Sequence, residues 1–79
     1  MAIVFTRHAR NRLRRTKLDE ATLINMLSTY STEIRTGNRV NRWLQWNDGW
    51  IRVVLVEEAE GDAIVITVIW PARAPRTKP

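Results

Sequence analysis

His8, Arg12 and Arg15 are the side chains in this sequence whose types and spacing could do chemistry together. On a helix, at about 100° per residue, they fall in one narrow stripe with Asn11 at its edge. Ala9, Leu13 and Thr16 fall on the neighbouring stripe, which would pack on a sheet, while Arg10 and Arg14 point toward solvent. An imidazole beside guanidinium groups is the equipment of a phosphate site. The imidazole serves as general acid or base near neutral pH, and the arginines hold developing negative charge. The same residues also describe a solvated basic helix whose arginine stems lie over the edge of the core. His8 is the only histidine, and no carboxylate stands near it in sequence to orient the ring.

A second set of basic residues, Arg35, Arg39, Arg42 and Arg52, is interleaved with tryptophans. That mixture suits single-stranded RNA, because bases stack on aromatic rings and on guanidinium planes. Trp43 shares a strand face with Arg52 and is the candidate for an exposed contact, whereas Trp46 and Trp70 are assigned to the core. Arg10, Arg35, Arg39, Arg42 and Trp43 therefore form the nucleic-acid-binding set. Other chemistries find little support. There is no cysteine and no G-x-S-x-G, so a hydrolase triad has no nucleophile of the usual kind. Glu57, Glu58, Glu60 and Asp62 lack calcium-loop spacing and read as a solvated turn, so no metal is expected. No glycine-rich phosphate loop is present, and no cofactor is expected.

The elements that must position these residues follow from the patterning. The chain has 79 residues and a formal charge of +5, room for one small domain. Residues 1–17 carry six bases and no acid, residues 18–34 three acids and no base, and residues 53–70 only four acids. Arginine outnumbers lysine eleven to two, which favours bidentate phosphate or carboxylate contacts. Ile3–Phe5 is a strand or an extended lead-in. Thr6 caps a helix running to about Thr16, and Asp19 caps a second whose apolar face is Leu23, Ile24, Leu27 and Tyr30. From Glu33 the period turns from helical to alternating, with turns at Gly37-Asn38, Asp48-Gly49 and Glu60-Gly61-Asp62. With Asp48-Gly49 as the turn, Leu44 faces Val53. The core face is then Leu44, Trp46, Ile51, Val53 and Leu55, opposite a mixed face of Asn41, Trp43, Gln45, Arg52, Val54 and Val56. Ala63–Trp70 is a buried strand ended by Pro71, and Thr67 is its single hydroxyl. Residues 1–70 make the domain, and 71–79 a disordered basic tail. No stretch reads as a signal peptide or a membrane span, and a cytoplasmic location is expected. The fold expected is α+β, with two short N-terminal helices on one face of a curled antiparallel sheet of about four strands.

Phe5-Thr6-x-His8-Ala9-x-x-Arg12-Leu13, then Leu18 before a capped helix, a hairpin and the strand Val65-Ile66-Thr67-Val68 together resemble a known pattern. The chain is similar to a family of short bacterial proteins marked by H-A-x-x-R near the N-terminus, itself similar to the RelE/ParE/BrnT toxin superfamily. The resemblance spans residues 3–70. It implies a RelE-like fold and, for some relatives, metal-independent RNA cleavage and neutralisation by an antitoxin partner. His8, Arg12 and Thr67 match its recurrent polar positions. One departure is plain: where the family has an arginine and a glycine before the residue matching Leu18, this chain has Thr16-Lys17, with Arg15 one position off. The function implied is a toxin-like endoribonuclease. His8 moves protons, Arg12, Arg15 and Arg52 stabilise the phosphate, and Thr67 positions it, with RNA and an acidic antitoxin-like protein as partners. The alternative is a basic module that binds RNA or an acidic partner without cutting.

Overall fold

The computed structural model describes residues 2–75. The order of elements is β1 (Ile3–Phe5), α1 (Arg7–Arg14), α2 (Glu20–Leu27), β2 (Thr32–Thr36), β3 (Arg39–Trp46), β4 (Gly49–Glu57) and β5 (Ala63–Ala72). The five strands form one sheet in the order β1-β5-β4-β3-β2. All neighbours are antiparallel except β1 and β5, which run parallel with Phe5 opposite Val65. The protein is thus an α+β fold with a mostly antiparallel, curled sheet, one strand wider than expected because Ile3–Phe5 joins it.

Both helices begin where a side chain satisfies an end amide. The Thr6 hydroxyl accepts from the Ala9 amide at 3.1 Å, and the Asp19 carboxylate from the Thr22 amide at 2.8 Å. Hydrogen bonding by the Thr22 side chain and then by its amide holds the Asp19 carboxyl below its ordinary pKa. Ala9, Leu13, Leu23 and Leu27 meet Val40, Leu44, Ile51, Val53, Leu55, Val65 and Val68 in a single core on one face of the sheet. Alternation along β3 and β4 produces this face, as expected. Helix α1 ends one turn before Leu18 because Lys17 adopts a left-handed conformation, φ 64°, and Thr16 turns its hydroxyl back onto the Leu13 carbonyl at 2.7 Å. Tyr30, expected on the apolar face of α2, lies past the end of that helix and is exposed.

The hairpin between β3 and β4 differs from expectation in its turn. Asn47 and Asp48, not Asp48 and Gly49, are the two turn residues, with φ of 51° and 59° and Trp46 paired to Gly49. Short polar side chains tolerate the left-handed region, so the pair forms a type I′ turn and leaves Gly49 to the strand. Leu44 accordingly faces Ile51 rather than Val53. The shift moves pairing by two residues, so each side chain keeps its face. Register shifts within the β4–β5 pairing, between Trp50 and Arg52 and between Val54 and Leu55, bend the sheet. β5 continues through Pro71 to Ala72, and the Arg73 carbonyl accepts from the Trp43 indole N–H at 3.2 Å. Residues 71 and 72, expected in the tail, are thus part of β5, and residues 76–79 lie outside those described.

Candidate nucleic-acid interface

Strand β1 covers only the first part of β5, since its pairing stops at Phe5 opposite Val65. Beyond that point α1 takes its place along the free edge. Thr6 fixes the junction: its amide donates to the Val65 carbonyl at 3.0 Å and its hydroxyl to the Ile66 carbonyl at 3.0 Å. The register shift between Val54 and Leu55 leaves Ile66 as the extra residue of β5, and Thr67 comes next. This places His8, one residue into α1, against Thr67. Their Nε2 and Oγ1 atoms are 3.1 Å apart.

The contact leaves His8 exposed, and among the described residues Nδ1 has no partner. A hydroxyl both donates and accepts. Thr67 can therefore hold the ring while His8 is neutral, and can accept from it once both nitrogens carry protons. One turn and two turns further along α1, Arg12 and Arg15 join Thr67, Val68, Ile69 and Trp70 in lining a hollow of about 320 Å³. His8 does not line the hollow but stands beside it through Thr67, so four of the five residues expected to do chemistry gather at one edge of the sheet. The fifth, Arg52, does not line that hollow. It stands on β4 opposite Ile69 and lines a second hollow on the sheet's open face with Ile34, Trp43 and Arg73. Its guanidinium lies 5.8 Å from the centre of the Trp43 ring.

No family model matches this chain, and no curated protein and no solved structure matches it significantly.

The second basic set is arranged differently from expectation. Arg42 is held at 2.7 Å by Glu33, donates to the Leu27 carbonyl at the C-terminal end of α2 at 3.2 Å, and lies over the Tyr30 ring. Arg35 is bound by Glu57 and lies 3.4 Å from Glu33. Its hydrogen bond lowers the Glu57 pKa below the ordinary carboxylate range and raises that of Arg35. These arginines are engaged inside the molecule, because alternation puts Glu33 and Arg35 of β2 beside Arg42 of β3 on the helix side of the sheet. Arg10 forms an exposed ion pair with Glu20 at 3.2 Å. Arg39 is exposed, and among the described residues it has no acidic partner. Uncompensated charge therefore concentrates on α1 and its end, at Arg7, Arg12, Arg14, Arg15 and Lys17.

Two tryptophans exchange the places assigned to them. Trp43 is only 8 % exposed, covered by Arg52 and by the chain after β5, whereas Trp70 is 37 % exposed and lines the hollow with Arg12, Arg15 and Thr67. The reason is length. An eight-residue helix covers about 12 Å, while the ten-residue β5 extends for about 33 Å. Trp70 lies near the far end of that strand. A large aromatic just before a proline, far along a strand from its helical cover, was the available signal.

Proposed function

We propose that this chain is a RelE-like, toxin-type endoribonuclease acting at the α1–β5 edge. The observation that carries the reading is the His8–Thr67 contact beside a hollow lined by Arg12, Arg15 and Trp70. A base stacks on Trp70, and the adjacent phosphate is held by Arg12 and Arg15. His8, its ring steadied by Thr67, takes the proton from the ribose 2′-hydroxyl through Nδ1. The 2′-oxygen attacks phosphorus, the bond to the 5′-oxygen breaks, and that oxygen takes a proton from solvent or from the imidazolium. Products are a 2′,3′-cyclic phosphate and a 5′-hydroxyl end. Arg12 and Arg15 stabilise the extra charge in the transition state. A cytoplasmic location and an acidic antitoxin-like partner belong to the same reading; no helix of the described residues is long and apolar enough to cross a membrane.

The test is incubation of the purified chain with RNA in EDTA, beside His8→Ala and Arg12→Ala. The wild type should cut and His8→Ala should lose about 100-fold or more of the rate. Failure of the wild type to cut, with or without ribosomes, overturns the reading. One observation favours the alternative of binding without cutting: the single imidazole stands beside the hollow rather than in its lining, and among the described residues no carboxylate lines the hollow to act as its counterpart. That alternative predicts salt-dependent RNA binding with no product.

A further inference from the structure

The strand farthest from the cleft is β2, whose outer edge has no strand beside it among the described residues. Its residues read Thr32-Glu33-Ile34-Arg35-Thr36. Reversed about Ile34, this sequence is complementary to itself: threonine faces threonine, Glu33 faces Arg35, and isoleucine faces isoleucine. Each of these is a favourable cross-strand pair. The edge has no proline, no lysine and no bulge against β3. The two charges it carries, Glu33 and Arg35, are opposite in sign, so they block a generic strand but pair with a second copy.

Main-chain directions agree with the same centre. Thr36 and Arg39 flank the two-residue turn Gly37-Asn38, in which Gly37 supplies φ 62°. In such a hairpin the flanking residues exchange main-chain hydrogen bonds, and bonded and non-bonded pairs then alternate. Thr36, Ile34 and Thr32 therefore turn their amides and carbonyls toward β3, while Glu33 and Arg35 turn theirs outward. The Glu57 amide bonded to the Asn38 carbonyl at 2.9 Å shows the matching alternation on the other side of β3. An antiparallel strand centred on Ile34 sets outward Glu33 against outward Arg35 of the second copy, twice. Between these bonded pairs the two Ile34 side chains meet at the closer, non-bonded position.

Side-chain placement fits as well. Ile34 is 41 % exposed on the open face, at the rim of the hollow shared with Trp43 and Ile69. Glu33 and Arg35 lie on the helix side, where the second copy's charges would extend the cluster with Arg42 and Glu57. We propose that β2 is the contact of an isologous homodimer, in which two copies join through Ile34 into one continuous ten-stranded sheet. A five-residue strand spans about 17 Å, so the interface is small and the association is of the weak, reversible class. The proposal is independent of the chemistry at the α1–β5 edge.

Sedimentation equilibrium of the full chain, freed of nucleic acid in high salt and examined from micromolar to millimolar concentration, tests it. The wild type should show a monomer–dimer equilibrium, and Ile34→Lys should weaken it at least tenfold. Glu33→Arg and Arg35→Glu should each remain monomeric, because like charges then face one another. An equimolar mixture of these two should dimerise, since each supplies the charge the other lacks. A wild type that stays monomeric at millimolar concentration, or Ile34→Lys that associates like the wild type, overturns the proposal. So does a mixture of two folded charge variants that associates no better than either alone. Should those variants fail to fold, the exposed Ile34→Lys substitution decides the question.

Discussion

Replacing Thr67 by valine removes one oxygen and keeps the branched shape that suits a strand, so its consequences can be worked from a single contact. The hydroxyl lies 3.1 Å from His8 Nε2 at an exposed position. Such a bond contributes about 0.5 kcal/mol or slightly more to folding, and Tm should fall by roughly 2–4 °C. On the proposed mechanism the effect on catalysis should be larger, because there the bond fixes the ring that takes the 2′-hydroxyl proton. Losing about 1 kcal/mol of orientation in the transition state slows the reaction about fivefold. Phosphate binding by Arg12 and Arg15 is untouched, so kcat should carry the loss and KM should hardly move. A short RNA bearing a fluorophore and a quencher supplies the rates, and nitrogen-15 spectra of the imidazole report its tautomer populations. Thr67→Ser should recover most of the rate and restore the tautomer balance. If Thr67→Val cuts within twofold of the wild type, or Thr67→Ser is as slow as Thr67→Val, Thr67 does not position His8.

Arg12→Ala should weaken RNA binding and reduce the slope of log affinity against log salt by about 0.7, the value for one phosphate contact on a single strand; an unchanged slope would remove Arg12 from the interface. Trp70→Ala should weaken binding by about 1–3 kcal/mol, the cost of one lost stacked base, whereas Trp43→Ala should chiefly lower Tm; calorimetric titration and thermal melts separate the two. Asp19 and Glu57 have carboxyls held below their ordinary pKa in the fold, so the unfolded chain binds more protons than the native one as pH drops past about 4. Their contribution is complete only well above that pH and is lost as pH falls through the lowered native values. Urea midpoints should decline between about pH 5 and pH 3, and less steeply in Asp19→Asn, which keeps a good cap. Ile51→Ala, at a fully buried position, should cost about 2–5 kcal/mol in urea unfolding, enough to leave a domain of this size largely unfolded.

Local physics was legible in the chain and distance was not. Thr6 and Asp19 announced both helix starts, because an N-cap depends only on a side chain and the amide three residues on. The core face of β3 and β4 followed from alternation and survived a register error, since moving the pairing by two leaves every side chain on its own face. The error itself came from giving Gly49 the turn when Asn47 and Asp48 could both take left-handed conformations. Near-neighbour spacing grouped His8, Arg12 and Arg15 on one stripe. Only the sheet order could place Thr67 beside them, which local spacing could not do. What sequence reasoning missed are the cross-strand charges. Glu33 lies on another strand from Arg42 and Glu57 far in sequence from Arg35, but in the sheet Glu33 meets Arg42 and Glu57 meets Arg35, which engages arginines that were counted as binding surface. Trp43 and Trp70 were misplaced for a related reason: burial depends on which helix ends where, which no single residue records.

The parallel placement of β1 beside β5 has a consequence for the order in which the molecule is made. His8 and Thr67 are separated by 59 positions, and closing a loop of that size costs about 3–4 kcal/mol in chain entropy. One exposed hydrogen bond cannot offset that, so the pair meets only because the sheet between them has formed. During synthesis α1 leaves the ribosome before β5, and until β5 docks between β1 and β4 the arginine helix has no strand to face. A chain halted before Thr67 carries the imidazole and the arginines but no cleft. Whatever chemistry the edge performs is therefore withheld until β5 has been made and docked, a timing set by topology alone.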